Sequence, residues 1–385
     1  MFGAFFVKII VTAVYNVYFH PLAAFPGPKT AAATPIPFVY RLINGRLVHW
    51  TTSLHASYGE VVRISPDELS FIEPCAWQDI YASRPQLPRA EVGKLESGVG
   101  EKAMVTADNE NHARQRRIVS HAFSDRALRE QEYLLIKYTD LLISRLHDQL
   151  ESQEEHPQEV NICKWLQFVT FDIIGDLCFG ESFHSLENME HHEWVSMILK
   201  GVKFGTRLTA FHYFPPASTI MQRCVPSSMM AKAEHHYDMT RQKVDLRINQ
   251  KSQRPDFMKY ILENNDKKGM SIEEIYSTVS LLVLAGSETS ASTCTAAIWF
   301  SLKKPSVMEK LKEEIRRAFT GLEDITVASA SGLPYLHAVL QESLRMHTNE
   351  PVALPREVNR PGMRICGRII PEGVSTVQIH QVQTY

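Results

Sequence analysis

Hydrophobic and polar positions follow three regimes along the chain. From Phe2 to Phe19 the run FGAFFVKIIVTAVYNVYF is broken by strongly polar types only at Lys8 and Asn16. A helix of that length is about 27 Å long, close to a bilayer core of about 30 Å. No basic stretch precedes it and no small-residue cleavage site follows, so it predicts a retained membrane anchor at residues 1–19 rather than a signal peptide. A buried or interfacial amphipathic helix is the alternative. Residues 20–29, HPLAAFPGPK, form a proline-rich joint that cannot continue a helix.

In the second regime, VVRISPDELSFI from Val61 to Ile72 alternates around Pro66-Asp67 and predicts a short hairpin. Helical spacing then dominates from about residue 110 to 345, with helices expected near 110–121, 126–150, 162–180, 193–210, 227–263, 272–303, 305–319 and 334–346. Beyond Pro351 short extended pieces return, Val352-Ala353-Leu354 and Arg364-Ile365-Cys366 among them. The pattern predicts one mainly α domain over residues 30–385, with a small β region drawn from both ends.

Composition narrows the function classes. Forty-one Lys and Arg against 43 Asp and Glu leave a net charge of −2, and 44% of residues are hydrophobic. That excludes a disordered chain and gives no basic stripe for nucleic acid. Cysteines 75, 163, 178, 224, 294 and 366 form no C-x-x-C pair, so reduced thiols in a cytosolic body are expected. The histidine pairs His191-His192 and His235-His236 point about 100° apart within each pair, which disfavours a shared metal and predicts surface residues. No phosphate loop, dinucleotide fingerprint or nucleophile elbow is present.

One helix carries the candidate chemistry. Ser271-Ile272-Glu273-Glu274 has the form of a capping box, and Lys303-Lys304-Pro305 marks a stop. Midway lies Leu284-Ala285-Gly286-Ser287-Glu288-Thr289. Glycine inside a helix costs about 1 kcal/mol relative to alanine, so Gly286 points to a close approach by something flat. Glu288 and Thr289 beside it are candidates for moving protons in a dry site. Further on, Glu342 and Arg345 are three apart on one helical face, and Leu354-Pro355-Arg356 follows.

This ordered set, from the proline-rich joint through A-G-x-E-T, E-x-x-R and L-P-R to Ile365-Cys366-Gly367-Arg368-Ile369-Ile370-Pro371-Glu372-Gly373, resembles the cytochrome P450 family of haem-thiolate monooxygenases. The likeness runs from about Tyr18 to Gly373 and is nearest to the fungal microsomal branch that tailors secondary metabolites. The resemblance implies a cytochrome P450-like fold, haem b as cofactor, and Gly286 at the haem face with Thr289 and Glu288 serving proton delivery. It implies Glu342–Arg345 as a buried core ion pair. It also implies His112, Arg116 and Arg356 as partners of the haem propionates, with Phe123 continuing the match. Substrate contacts would come from about 85–110, 196–222, the long helix and 350–358. Phe204, Phe211, Tyr213, Phe214, Val352 and Leu354 there suggest a small apolar or polycyclic molecule. The implied partners are an endoplasmic reticulum membrane, with the body facing the cytosol, and an NADPH-dependent flavoprotein reductase.

The family also needs a cysteine thiolate beneath the iron, in a loop well downstream of the last strands, and residues 374–385 contain no cysteine. Gly362-Met363-Arg364-Ile365-Cys366 mimics that loop but stands too near Arg345, so Cys366 is expected to be a strand cysteine. Cys294, five residues past Thr289, points off its face. The expectation is a fold incomplete at its C-terminus and inactive as written. The alternatives are an active monooxygenase whose chain extends past Tyr385 and a non-catalytic binding protein.

Overall fold

A computed structural model describes residues 2–90, 103–151, 159–190, 201, 205–207, 209–210, 212–214, 227–351 and 354–379. The chain divides into two compact units: Met1–Glu96 with Gly201–Ser227 and Glu350–Tyr385, and Ser97–Lys200 with Ser228–Asn349.

The first unit holds helices α1 (Phe2–Tyr18), α2 (Lys29–Ala33), α3 (Ile36–Ile43), α4 (Leu47–Tyr58) and α5 (Pro74–Tyr81). The expected hairpin is present as β1 (Val61–Ser65) and β2 (Glu68–Phe71). It joins strands from the other end of the chain, β3 (Arg356–Glu357) and β6 (Ser375–Gln378), in the order β1-β2-β6-β3. The β2–β6 pair is parallel and the others antiparallel. A separate hairpin, β4 (Arg364–Ile365) with β5 (Arg368–Ile369), packs beside α5 on a core of Leu69, Phe71, Ile80, Leu87, Val358 and Ile365.

The proline-rich joint lies flat on β1. The Arg63 N–H donates to Pro26 O at 2.7 Å, and a Cβ on Gly27 would sit 2.4 Å from Arg63 O, so only glycine fits. The Arg63 side chain, 1% exposed, donates to Pro66 O and, at 2.8 Å, to Asn16 O. Asn16 in turn donates to Ala33 O. The end of α1 is thereby tied to the body through one of the two polar residues that interrupt its apolar run. Among the described residues no helix is long and apolar enough to cross a membrane. The 17 residues of α1 rise only about 25 Å.

The second unit is helical: α6 (Asn109–Val119), α7 (Asp125–Glu151), α8 (Ile162–Phe179), α9 (Ser185–Asn188), α10 (Ser227–Asn249), α11 (Phe257–Glu263), α12 (Ile272–Lys303), α13 (Pro305–Ala318), α14 (Val327–Ser331) and α15 (Pro334–Met346). Its core gathers Phe168, Phe171, Ile174, Leu177, Val279 and Val283 where α8 and α12 pack along each other. The single helix expected at 227–263 is two. Lys251 takes a positive φ of 46° and Arg254 precedes a proline, so the chain turns between α10 and α11. Most of the helix expected at 193–210 lies outside the described residues.

Candidate functional site

The start of the long helix α12 is built as its sequence predicts. Ser271 Oγ accepts from the Glu274 N–H, and Glu274 Oε2 accepts from the Ser271 N–H at 2.9 Å. The same carboxylate accepts from Arg114 at 2.5 and 2.9 Å and from Gln115 Nε2 at 2.9 Å. The Arg114 hydrogen bonds hold the Glu274 carboxyl below the usual glutamate range. α6 is thus clamped to the head of α12. Arg117 pairs with Asp266 at 3.4 Å. His112 and Arg116, one turn apart on α6, stay outside these two pairs, His112 half-buried and Arg116 exposed. The sequence marked this cluster as basic without showing which arginines are structural.

In the middle of α12 the expected residues separate by role. A Cβ on Gly286 would lie 2.7 Å from Ile174 Cδ1, so the glycine lets α8 come close. Glu288 accepts from Gln167 Nε2 at 3.2 Å, which turns it toward α8. Thr289 Oγ1 donates back to Ala285 O at 2.6 Å. Its carbonyl accepts from Asn349 Nδ2 at 3.0 Å and from Thr293 Oγ1 at 2.9 Å. Successive residues diverge by about 100° on a helix, so Glu288 and Thr289 leave α12 in different directions. Cys294 is exposed on the same helix.

Glu342 and Arg345 do pair, with two contacts of 2.6 Å, but their side chains are 54% and 50% exposed. This corrects the expected buried pair. α15 buries only Ser343, so the face that carries the pair meets solvent. Phe123, 47% exposed, stacks on Phe257 at 4.8 Å. His236 is also corrected: it is partly buried against Ser280 Oγ at 2.8 Å, and burial lowers its pKa to about 4. Of the expected substrate contacts, Phe204, Phe211 and Val352 lie outside the described residues. Tyr213 packs on Phe38 at 4.9 Å and donates to Glu68 at 3.2 Å.

The first unit contains what the sequence reading missed. Arg356 on β3 faces Arg89 across an antiparallel bridge. Ala90 N donates to Pro355 O, and Glu357 N donates to Pro88 O, both at 3.0 Å. Arg356 Nη1 donates to Leu87 O, and its guanidinium stands 5.9 Å from the Tyr81 ring. Arg356 Nε and Arg89 Nη1 are buried with no hydrogen-bond partner, and neither arginine has a carboxylate partner among the described residues. Burial lowers both pKa values, and Arg356 lowers that of Arg89 further. Two desolvated cations side by side with unused donors form a cradle for an anion. A signal for it was available: Leu87-Pro88-Arg89 repeats the L-P-R of Leu354-Pro355-Arg356.

A haem carries two carboxylates, and this cradle fits one. The iron's sulfur ligand fares differently. Cys75 and Cys366 are bonded to each other, which corrects the expectation of reduced thiols, and Cys366 lies in the turn between β4 and β5 rather than in a strand. Cys163 is exposed. Burial pushes the Cys178 thiol up, away from thiolate, and partial desolvation of the Cys294 sulfur raises that thiol too, despite its exposed position on α12. The described residues therefore fit the carboxylate end of a haem and offer no thiolate for its iron.

The sequence matches the family model for cytochrome P450 over residues 32–381. It is 42% identical over 366 residues to "Cytochrome P450 monooxygenase astJ" of Aspergillus oryzae, which covers 94% of this chain and 73% of that protein. It is 38% identical to "Cytochrome P450 monooxygenase efuB" of Hormonema carpetanum, over 98% of this chain and 75% of that protein. It is 36% identical to the "Averantin hydroxylase" of Dothistroma septosporum, over 98% of this chain and 71% of that protein.

Proposed function

Because the chain belongs to the cytochrome P450 family, we propose that it binds haem by seating a carboxylate on Arg89 and Arg356, in the service of oxidative tailoring of a small apolar metabolite. The haem, when bound, supplies the activation of dioxygen. Arg89 and Arg356 anchor and orient it. By the family resemblance His112 and Arg116 are proposed as carboxylate-binding residues, and Thr289 and Glu288 for holding protons on α12. The proposed electron donor is an NADPH-dependent flavoprotein reductase. With no described cysteine placed as a thiolate, polypeptide 1–385 on its own is expected to take up haem without a sulfur ligand and not to oxidise substrate.

The observation that carries this reading is the half-buried arginine pair, each with a buried unpartnered nitrogen and neither with an acid among the described residues. A hydrogen bond to a charged group contributes about 1.5–3 kcal/mol, so Arg356→Met and Arg89→Met should each weaken haemin binding about 10- to 100-fold. In an absorbance titration, haemin dimethyl ester should bind the parent chain with a similar loss. Equal affinity for haemin and its ester would refute the cradle. A thiolate-type Soret band after reduction under carbon monoxide would refute the missing sulfur.

Membrane attachment is proposed through the surface of α1 rather than by spanning. Phe6, Val7, Ile10, Val11, Val14 and Tyr18 are exposed along it, and α3 adds Ile36 and Tyr40. Such a face suits the boundary of headgroups and acyl chains at the endoplasmic reticulum. Ile10→Glu with Val14→Glu should abolish co-flotation with phosphatidylcholine vesicles; undiminished flotation would remove α1 from the contact.

A further inference from the structure

Glu73, Cys75 and Cys366 form the one group among the described residues whose metal-ligating atoms all lie within 4.8 Å of one another. They are not arranged for a cation. The two sulfurs are bonded to each other, and the Glu73 carboxylate is taken by Arg368. What remains is sulfur chemistry at the surface.

We propose that Cys75–Cys366 is a reversible thiol–disulfide exchange site, opened by a thiol of the glutathione class, which clasps the β4–β5 turn to α5. The bond joins residues 291 apart in sequence, with Cα atoms 5.7 Å apart, in the usual range for a cystine. Cys75 lies exposed in the first turn of α5 and Cys366 is half-buried, so the incoming thiolate reaches the Cys75 sulfur. That attack forms a mixed disulfide on Cys75 and expels Cys366 as a thiolate, which takes up a proton. A second thiol then attacks the small-molecule sulfur of the mixed disulfide and releases Cys75. Two small thiols are oxidised to one disulfide, and the two cysteines receive the two electrons and two protons. Closure runs in reverse against the oxidised small disulfide.

The turn has few other tethers. Its strands are two residues each, and Cys366 at φ 46° with Gly367 at φ 75° makes a left-handed turn that a residue with a side chain seldom adopts. Beyond the disulfide it is held by the Cys366 N–H donating to Asp79 Oδ2 at 2.8 Å, the Arg368–Glu73 ion pair, and burial of Ile365 and Ile370. Arg364 and Arg368, both exposed, flank the turn and are natural reporters of its opening.

The test uses the full chain, equilibrated with oxidised or reduced glutathione. Iodoacetamide labelling read by peptide mass should leave Cys75 and Cys366 unlabelled and joined in the oxidised sample, and label both in the reduced one. Exposed Cys163 is labelled throughout. Trypsin under native conditions should cut after Arg364 and Arg368 severalfold faster in the reduced sample. Cys75→Ser should be cut at that faster rate in either buffer, with Cys163→Ser unchanged from the parent. If Cys75→Ser fails to fold, the two redox states of the parent chain decide alone. Labelling of both cysteines in the oxidised sample would overturn the site. Full reduction with no change in cleavage would overturn the clasp.

Discussion

Asp256→Ala is expected to cost about 3–5 kcal/mol of stability, because it strips the partner from a buried cation. Arg247 and Asp256 have side chains 2% and 0% exposed and meet through contacts of 2.6 and 3.0 Å. The pair spans the break between α10 and α11, and Asp256 Oδ1 also accepts from the Lys259 N–H, capping α11. The arginine stem packs over Gly180, whose φ of 75° ends α8 and whose missing Cβ leaves that space. Removing the carboxylate therefore loses a cap worth about 1 kcal/mol and strands a guanidinium in the core. Replacing both residues, Arg247→Met with Asp256→Leu, removes the stranded charge and should cost less than the single change. Urea denaturation of the three proteins reads this directly. A loss below about 1 kcal/mol for Asp256→Ala would show that the pair does not brace the junction.

The second large effect depends on pH. Glu68 lies on β2 with its carboxyl buried, and burial raises its pKa from 4.5 to about 7 against the opposing hydrogen bond from Tyr213. Between those values the folded chain keeps a proton that the unfolded chain has released. This contribution to stability is fully present below about pH 4.5 and is lost as pH rises through about 7, a change of about 3 kcal/mol. Glu68→Gln cannot ionise and still accepts the Tyr213 hydroxyl. Its stability relative to the parent should therefore rise by about 2–3 kcal/mol between about pH 5 and pH 8 in urea titrations. A constant difference across that range would show that Glu68 ionises freely in the fold.

The structure also sorts the candidate site by what pattern alone can express. Ser271 and Glu274 cap α12 as their spacing required, because a capping box is settled within four residues. Glu342 and Arg345 pair as their spacing allowed, yet the spacing was silent on burial, which depends on what covers α15. Gly286 announced a close neighbour and could not name it; the neighbour is Ile174, more than a hundred positions upstream. Arg89 went unnoticed because a lone arginine in an irregular segment has no period to betray it, although its L-P-R context repeats that of Arg356.

By itself the sequence determined the family, the mainly helical class with a small sheet drawn from both chain ends, and the long capped helix. Those rest on local spacing and on ordered motifs, which survive in one dimension. Only the tertiary structure decided which arginines are spent on ion pairs and which face each other without an acid among the described residues. It alone joined Cys75 to Cys366 across 291 positions and buried Glu68. The physical reason is common to all three: desolvation and close contact depend on which distant segments share a neighbourhood, and no periodicity along a chain records that.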